Sequence, residues 1–315
     1  MNTLIIKLGA TGDVVRTTPL LEKLGEQITW ITDAKNLSLL RGLKTRLRSL
    51  PWEQRSAVAH VRYDLVINLE DTLESGQFVR SLKYDRIFGA FLNADGQLVY
   101  TDDSRGWFDL SLISRFGKQK ADRLKLENRR TYQDLIFDGM GFEFGGENYL
   151  LPQPAKTYLT GDIAISPKAG AVWPIKNWAY YAELKRELEG KGLVVNVLPE
   201  RATLLEHLGD VRQHRCLVSG DSLPMHFALG TGTRCVTIFN CTSPWEIFGY
   251  GVQRQITSPL LAEFFFKRGM DERATGAISL EEVFDAVMEQ LGSAAVREFA
   301  GASERRLVTA SPHAS

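Results

Sequence analysis

Cysteine is scarce in this sequence and long apolar runs are missing, and each shortage excludes a class of protein. The three cysteines, Cys216, Cys235 and Cys241, form no CxxC pair, which argues against a disulfide framework and against a structural zinc site. The five histidines have neither HxxxH nor HExxH spacing. No segment reaches the ~20 apolar residues of a membrane span, and the N-terminal segment has no signal-peptide pattern. We therefore expect a cytoplasmic protein that meets a membrane at most peripherally, at the inner face of the cytoplasmic membrane.

An excess of charge of either sign is also missing. The 315 residues include 38 Lys or Arg and 38 Asp or Glu, which gives a formal net charge of zero. No global field therefore favours nucleic acid, and we expect no nucleic-acid partner. Hydrophobic residues make up 44% of the chain, which is enough for a large core, and the length favours about two domains.

Strand and helix patterns alternate along the chain in two consecutive runs. The first run begins with the apolar segment Thr3–Leu8, and the second follows the proline-containing segment Leu151–Pro154. The sequence therefore predicts an α/β protein with two Rossmann-like, doubly wound domains at 1–152 and 153–292, followed by a partly disordered tail at 293–315. In such folds ligands bind at the carboxyl ends of the strands, so the loops after the strands are the candidate sites.

The loop after the first strand carries a GxxGD pattern, Gly9-Ala-Thr-Gly12-Asp13. Its two glycines permit a tight turn and a close approach of another group to the backbone. Asp13 stands where the turn meets the first helix, and the helix dipole there keeps a carboxylate ionised. It is therefore a candidate general base, with a simple helix cap as the alternative.

Two loops of the second run carry groups that suit a phosphate, and a third adds a Thr-Ser-Pro turn. Lys176 follows the first strand of that run, and Ser222 precedes a helix after a later strand. His226 lies one turn into that helix, and Thr242 follows the next strand. The alternatives are a solvated lysine, a buried core histidine and ordinary turn residues.

Two stretches of the N-terminal half are locally basic. Residues 35–62 hold seven Lys or Arg against one acid, and residues 115–130 hold seven against two. A basic surface there would favour an anionic partner. Solvated helix faces are the alternative interpretation.

Several of these segments together resemble one known family. The segment IIKLGATGDVVRTTPLL is similar to the opening of the family 9 glycosyltransferases, the ADP-heptose:lipopolysaccharide heptosyltransferases. The segment SPKAGAVWPIKNW is similar to the family's G-x-x-x-x-K-x-W loop, and LVSGDSLPMHFALGTGTRCVTIFNCTSP is similar to its S-x-D-[TS]-G-x-x-H-x-A signature and the T-S-P turn that follows. The matches span most of the chain in the family's order.

This resemblance implies a GT-B fold, in which two Rossmann-like domains face each other across a cleft. It implies an inverting glycosyltransferase that moves a heptose or similar sugar from ADP-heptose to an acceptor hydroxyl, most commonly in lipopolysaccharide core assembly. No metal and no other cofactor would be needed. The C-terminal domain would bind the nucleotide-sugar donor, and the N-terminal domain would bind an anionic glycan or another hydroxyl acceptor.

The resemblance also assigns roles to single residues. Asp13 would deprotonate the acceptor hydroxyl, in a turn that Gly9 and Gly12 form on the acceptor side. The donor and its phosphates would be held by Lys176, Asp221, Ser222, His226 and Thr242. Glu200 would bind the ribose, on a looser match.

Other functions remain open at this point. A heptosyltransferase-like enzyme could act on a protein or a small metabolite, and a GT-B sugar-nucleotide epimerase would release free nucleotide without an acceptor. A non-catalytic nucleotide-binding module is disfavoured because Asp13 lies in the half opposite the nucleotide loops. An NAD-dependent reductase is disfavoured because the chain has no GxGxxG motif with a ribose-binding acid.

Overall fold

The computed structural model describes residues 1–25, 27–108, 116–168, 170 and 172–292. The eleven strands in these ranges are β1 (Asn2–Ile6), β2 (Gln27–Thr32), β3 (Leu47–Pro51), β4 (Arg62–Asn68), β5 (Lys83–Leu92), β6 (Leu98–Tyr100), β7 (Gly161–Ser166), β8 (Val195–Val197), β9 (His214–Gly220), β10 (Arg234–Phe239) and β11 (Gln253–Thr257). The α-helices there are α1 (Thr11–Thr17), α2 (Leu37–Leu40), α3 (Leu73–Ser81), α4 (Arg105–Phe108), α5 (Lys118–Glu127), α6 (Tyr132–Gly139), α7 (Tyr181–Gly190), α8 (Leu204–Arg212), α9 (Leu223–Thr231), α10 (Leu261–Phe264), α11 (Glu272–Thr275) and α12 (280–292).

The first sheet has the strand order β3-β2-β1-β4-β5-β6, with β6 antiparallel to β5 and the other pairs parallel. The chain winds outward from β1 in one direction and then restarts at β4 in the other. The switch point between β1 and β4 leaves a crevice at their carboxyl ends, because the connections leave the two strands on opposite sides.

The second sheet has the order β11-β10-β9-β7-β8 and is parallel throughout. Its switch point lies between β7 and β9, and the loops after these strands carry Lys176 and Asp221. Each sheet thus offers one crevice at a place that the order of its strands determines.

Both faces of each sheet are buried, as expected of parallel sheets. In β1, Ile5 points into one apolar cluster while Leu4 and Ile6 point into another. The two halves of the chain share a third cluster, in which Val15 of α1 packs with Met225 of α9. Apolar burial therefore holds α1 against α9 and sets the two crevices side by side.

The predicted α/β class and the arrangement of two parallel-dominated sheets are confirmed. The domain bounds at 1–152 and 153–292 stay a prediction, and the predicted tail at 293–315 lies outside the described residues. No helix in the described ranges is both long enough and apolar enough to cross a membrane.

Two local predictions are wrong. Gly12 and Asp13 lie inside the first turn of α1 rather than in a turn before it. The sequence from Asp102 to Arg130 is polar and has no regular period, which predicts irregular structure, but this segment contains α4 and α5. The sequence of α5, KQKADRLKLE, is so polar that its buried face, Ala121 and Lys125, gives no apolar periodicity.

Gly89 occupies a place in β5 that only glycine tolerates, and its substitution tests the packing of β5 against β4. Its φ is +107°, and a Cβ there would lie 2.0 Å from the carbonyl oxygen of Asn68. We expect Gly89→Ala to lower the free energy of unfolding by about 3 kcal/mol or more, since strain and a backbone clash add. Gly106→Ala is the control, because nothing lies within 4 Å of its Cβ position. Equal denaturant midpoints for the two variants would contradict this packing.

Candidate active site

The carboxyl ends of β1 and β4 meet around a buried ion pair. Lys7 follows β1 and Glu70 follows β4, and Lys7 Nζ lies 2.9 Å from Glu70 Oε1. The backbone N–H of Leu8 donates to the same carboxylate oxygen at 2.8 Å. Glu70 therefore fixes the position of Lys7 at the floor of the crevice, where its ammonium group faces Asp13.

Asp13 extends from the first turn of α1 into this crevice. Its Oδ1 lies 3.0 Å from Arg16 Nε, and its Oδ2 lies 4.0 Å from Lys7 Nζ. Burial alone would raise the pKa of Asp13, but the positive charges of Arg16 and Lys7 outweigh burial and lower it. The carboxylate is therefore ionised at neutral pH, as the sequence predicts for its place at a helix start.

A chain of charges connects Asp13 to the second half of the protein. Arg16 lies over the ring of Tyr132, 4.0 Å from its centroid, and its Nη1 is 3.8 Å from Glu246 Oε2. Glu246 follows β10, and Lys125 Nζ of α5 donates to both of its oxygens at 2.9 and 3.1 Å. Glu246 thus joins two cations of the first half to the second half of the chain.

These groups surround a cavity of about 240 Å³. We call it the Asp13 cavity, and its lining residues are Lys7, Gly9, Asp13, Arg16, Leu69, Glu70, Asp71, Trp107, Phe108, Lys125, Tyr132, Leu135 and Glu246. It occupies the crevice at the β1–β4 switch point, where the fold predicts a ligand.

A second group of polar side chains lies at the β7–β9 switch point. We call it the Lys176 cluster, and its members are Lys176, Asp221, Ser222, His226 and Thr242. Lys176 Nζ donates to the carboxylate Oδ2 and to the backbone carbonyl of Asp221, at 2.9 Å each. Burial opposes ionisation of Asp221, but Lys176 outweighs burial and holds the pKa of this carboxyl well below its usual range.

His226 connects the Lys176 cluster with the Asp13 cavity. A Cβ added to Gly12 would lie 2.8 Å from Cδ2 of His226, so the two halves touch through a glycine. Burial, reinforced by the charge of Arg16, lowers the pKa of His226 to about 4, and the imidazole is neutral at pH 7. Its Nδ1 is buried without a hydrogen-bond partner in the described part of the chain.

The remaining predicted site residues differ in how far their side chains are exposed to solvent. Ser222 is the N-cap residue of α9, and Thr242 is buried near Asp221, whose carboxylate it helps to keep ionised. Glu200 follows β8, and its side chain is 90% exposed and 3.3 Å from Lys168 Nζ. Its ribose-binding role stays a prediction, as do the donor roles of the Lys176 cluster.

Sequence reasoning did not identify Lys7, Arg16, Glu70 and Glu246 as site residues. For Lys7 a signal existed, since it directly follows a buried strand and such positions were the candidate sites. Glu246 has no such signal, because only the docking of the two halves brings it to Arg16 and Lys125.

Among the residues that the structure describes, no three or more His, Cys, Asp or Glu side chains form a group that could hold a metal ion. This observation does not test the expectation of metal-free chemistry, which stays a prediction.

The architecture is similar to that of solved glycosyltransferases. The structure of the E. coli heptosyltransferase WaaC with ADP has 15% sequence identity and a TM-score of 0.63, and the match covers 92% of this chain and 100% of that one. The family 9 glycosyl transferase from Veillonella parvula DSM 2008 has 15% identity and a TM-score of 0.66, covering 93% of this chain and 97% of that one. The E. coli ADP-heptose lps heptosyltransferase II has 16% identity and a TM-score of 0.59, covering 95% and 99%.

These similarities establish the fold. No protein-family model and no curated protein sequence matches the chain. The structural matches nevertheless span nearly the whole chain, and they confirm the GT-B fold that the sequence predicts.

The ion pairs of Glu246 generate a testable prediction about the contact between the halves. Glu246→Gln leaves Lys125 and Arg16 buried without their shared carboxylate, and we expect the free energy of unfolding to fall by about 3 kcal/mol. Glu263→Gln is the matched control, since Glu263 pairs with Arg273 at 2.6 Å on the surface. We expect that change to cost under about 1 kcal/mol in guanidinium unfolding. If both variants unfold at the same midpoint, the Glu246 pairs contribute nothing to stability.

Proposed function

We propose that this protein is an inverting, metal-independent glycosyltransferase. It transfers a heptose or similar sugar from ADP-heptose, or a related nucleotide sugar, to an acceptor hydroxyl. The observation that carries the proposal is an ionised, half-buried Asp13 in one half, whose neighbour Gly12 contacts His226 of the Lys176 cluster in the other half. A base and a diphosphate site on opposite sides of one cleft are the two components that such a transfer requires.

The acceptor hydroxyl enters the Asp13 cavity and attacks the anomeric carbon from the face opposite the diphosphate. The new carbon–oxygen bond forms as the bond to the diphosphate oxygen breaks, so the anomeric configuration inverts. Asp13 takes the hydroxyl proton. The lowered pKa of Asp13 makes it a weak base toward a free alcohol. The hydroxyl proton of the acceptor becomes acidic once the hydroxyl oxygen bonds to the anomeric carbon, and its transfer to Asp13 is then favourable.

The leaving nucleoside diphosphate carries away the electron pair and gains negative charge. Lys176 is paired with Asp221, two residues before the start of α9. A phosphate oxygen replaces part of this pairing when the donor binds. A fixed cation and the N-terminus of α9 then stabilise the departing charge, which is the task that a metal ion performs in other transferases.

The solved structures that this protein resembles support a choice of donor but not of acceptor. The similar structures are described as heptosyltransferases, one of them with ADP, and this supports ADP-heptose as the first donor to test. Lipopolysaccharide core assembly and an anionic glycan acceptor stay predictions, and so does a location at the inner face of the membrane. An epimerase would show itself by converting the donor sugar with no acceptor present.

Asp13→Asn tests the base. The assay follows the release of ADP from ADP-heptose, with water as the acceptor where no other is supplied. We expect this rate to fall by ~10²–10⁴-fold, because the amide cannot take the proton. Binding of ADP, measured by titration calorimetry, should change by less than about twofold, since Asp13 lies in the opposite half. Asp138→Asn, a surface change at an exposed partner of Arg130, is the control. Full activity of Asp13→Asn would reject the assignment.

Lys176→Met tests the diphosphate site. We expect the affinity for ADP to fall by about tenfold to a hundredfold, since a charge-assisted hydrogen bond to phosphate is lost. Lys185→Met removes a half-buried lysine of α7 that pairs with Glu189, and it should leave ADP affinity unchanged. Circular dichroism checks that both variants are folded. Unchanged ADP binding in folded Lys176→Met would contradict the role of Lys176.

A further inference from the structure

The charges that line the Asp13 cavity point to the chemistry of its ligand. Four lining residues are carboxylates, Asp13, Glu70, Asp71 and Glu246, and three are cations. Each cation is already engaged: Lys7 with Glu70, Arg16 with Asp13, and Lys125 with Glu246. The described wall of the cavity therefore carries one negative charge in excess.

Asp71 is the lining carboxylate that is not paired with any of these three cations. It follows β4 beside Glu70, and within the described ranges it forms no ion pair. Tyr100 Oη lies at 3.5 Å from Asp71 Oδ2, a long contact that neutralises no charge. Burial, with the neighbouring charge of Glu70, raises the pKa of Asp71 to about 6. The free protein thus holds a partly desolvated carboxylate that a cation would stabilise.

Another part of the cavity lining is apolar and aromatic. Trp107 and Phe108 contact each other edge to face, with ring centroids 4.4 Å apart, and Tyr132 packs against Trp107. Aromatic faces attract ammonium groups and also cover the apolar faces of sugar rings. This part of the lining holds no cation for a phosphate or a carboxylate, and Trp107 offers only a neutral indole N–H.

The basic stretches of the N-terminal half do not alter this balance. In the part of the chain that the structure describes, Lys125 is their one member that lines the cavity, and Glu246 holds it. Other members pair with acids on the surface, such as Arg55 with Glu74 and Arg123 with Glu127. An anionic acceptor would have to break a buried ion pair to find a cation.

We infer that the acceptor is an amine-bearing polyol, an amino sugar or aminocyclitol, whose ammonium group binds Asp71 beside Trp107 while one of its hydroxyls faces Asp13. This inference rests on the proposed function, which places the acceptor in the Asp13 cavity. A ligand with one positive charge neutralises the excess negative charge, whereas an anionic glycan doubles it. The carboxylates of Asp71 and Asp13 thus have separate tasks, one binding the acceptor and the other taking its proton.

The test compares polyol ligands that carry a positive, a neutral or a negative group. Glucosamine, an aminocyclitol such as 2-deoxystreptamine, the N-acetylated form of each, and glucuronate are titrated into the full chain at pH 7 by saturation-transfer NMR, without nucleotide. We expect the free amines to bind about tenfold tighter than their N-acetylated forms, and glucuronate to bind weakest, because one charge-assisted hydrogen bond is gained or lost.

Asp71→Asn identifies the group responsible. This variant should bind amines and N-acetylated forms equally, whereas Asp102→Asn, a control at a highly exposed residue, should keep the preference. Three results would overturn the inference. Glucuronate could bind as tightly as the free amines or more tightly, the preference for amines could survive in Asp71→Asn, or no amine could bind. ADP is titrated in a separate experiment without the amines. Loss of ADP binding would contradict the proposed function, whereas the amine titrations alone decide the class of acceptor.

Discussion

The structure of the site depends on the pairing of buried charges where the two halves of the protein meet. Asp13 is held by Arg16 and Lys7, Arg16 reaches Glu246, and Glu246 is held by Lys125. Each of these charges is expensive to remove from water unless an opposite charge lies close to it. The ionisation of Asp13 and the docking of the halves are therefore parts of one electrostatic arrangement, because Glu246 belongs to the second half while the cations it pairs belong to the first.

Strand order explains why this arrangement lies where chemistry is possible. Each sheet has one switch point, and α1 and α9 begin next to these two points. Because Val15 and Met225 bury apolar surface together, the helix starts are held side by side. The first crevice contains a carboxylate that is kept ionised, and the second contains a lysine that is kept in place by Asp221. Packing thus holds the Asp13 carboxylate and the Lys176 ammonium group on the two sides of the contact between the halves.

The sequence predicts the fold and the candidate base, but it does not predict the residues that pair across the site. The apolar strands such as Thr3–Leu8 and the turn residues around Asp13 are local signals, so the two-sheet fold and the position of Asp13 could be predicted. The helix α5 could not, because its buried face includes Lys125, a residue that is normally solvated. Glu246 and Asp71 could not be identified either, since their importance depends on which charges the folded chain brings near them, and that information is not local.

Gly12 has a consequence for how the cleft can work. At one contact between the halves Gly12 presents only a hydrogen atom, in a space where any other residue would place a carbon against the His226 ring. The charged side chains of Arg16 and Lys125 reach Glu246 at a separate contact. A larger residue at position 12 would therefore have to push α1 away from α9, and the two crevices would move apart.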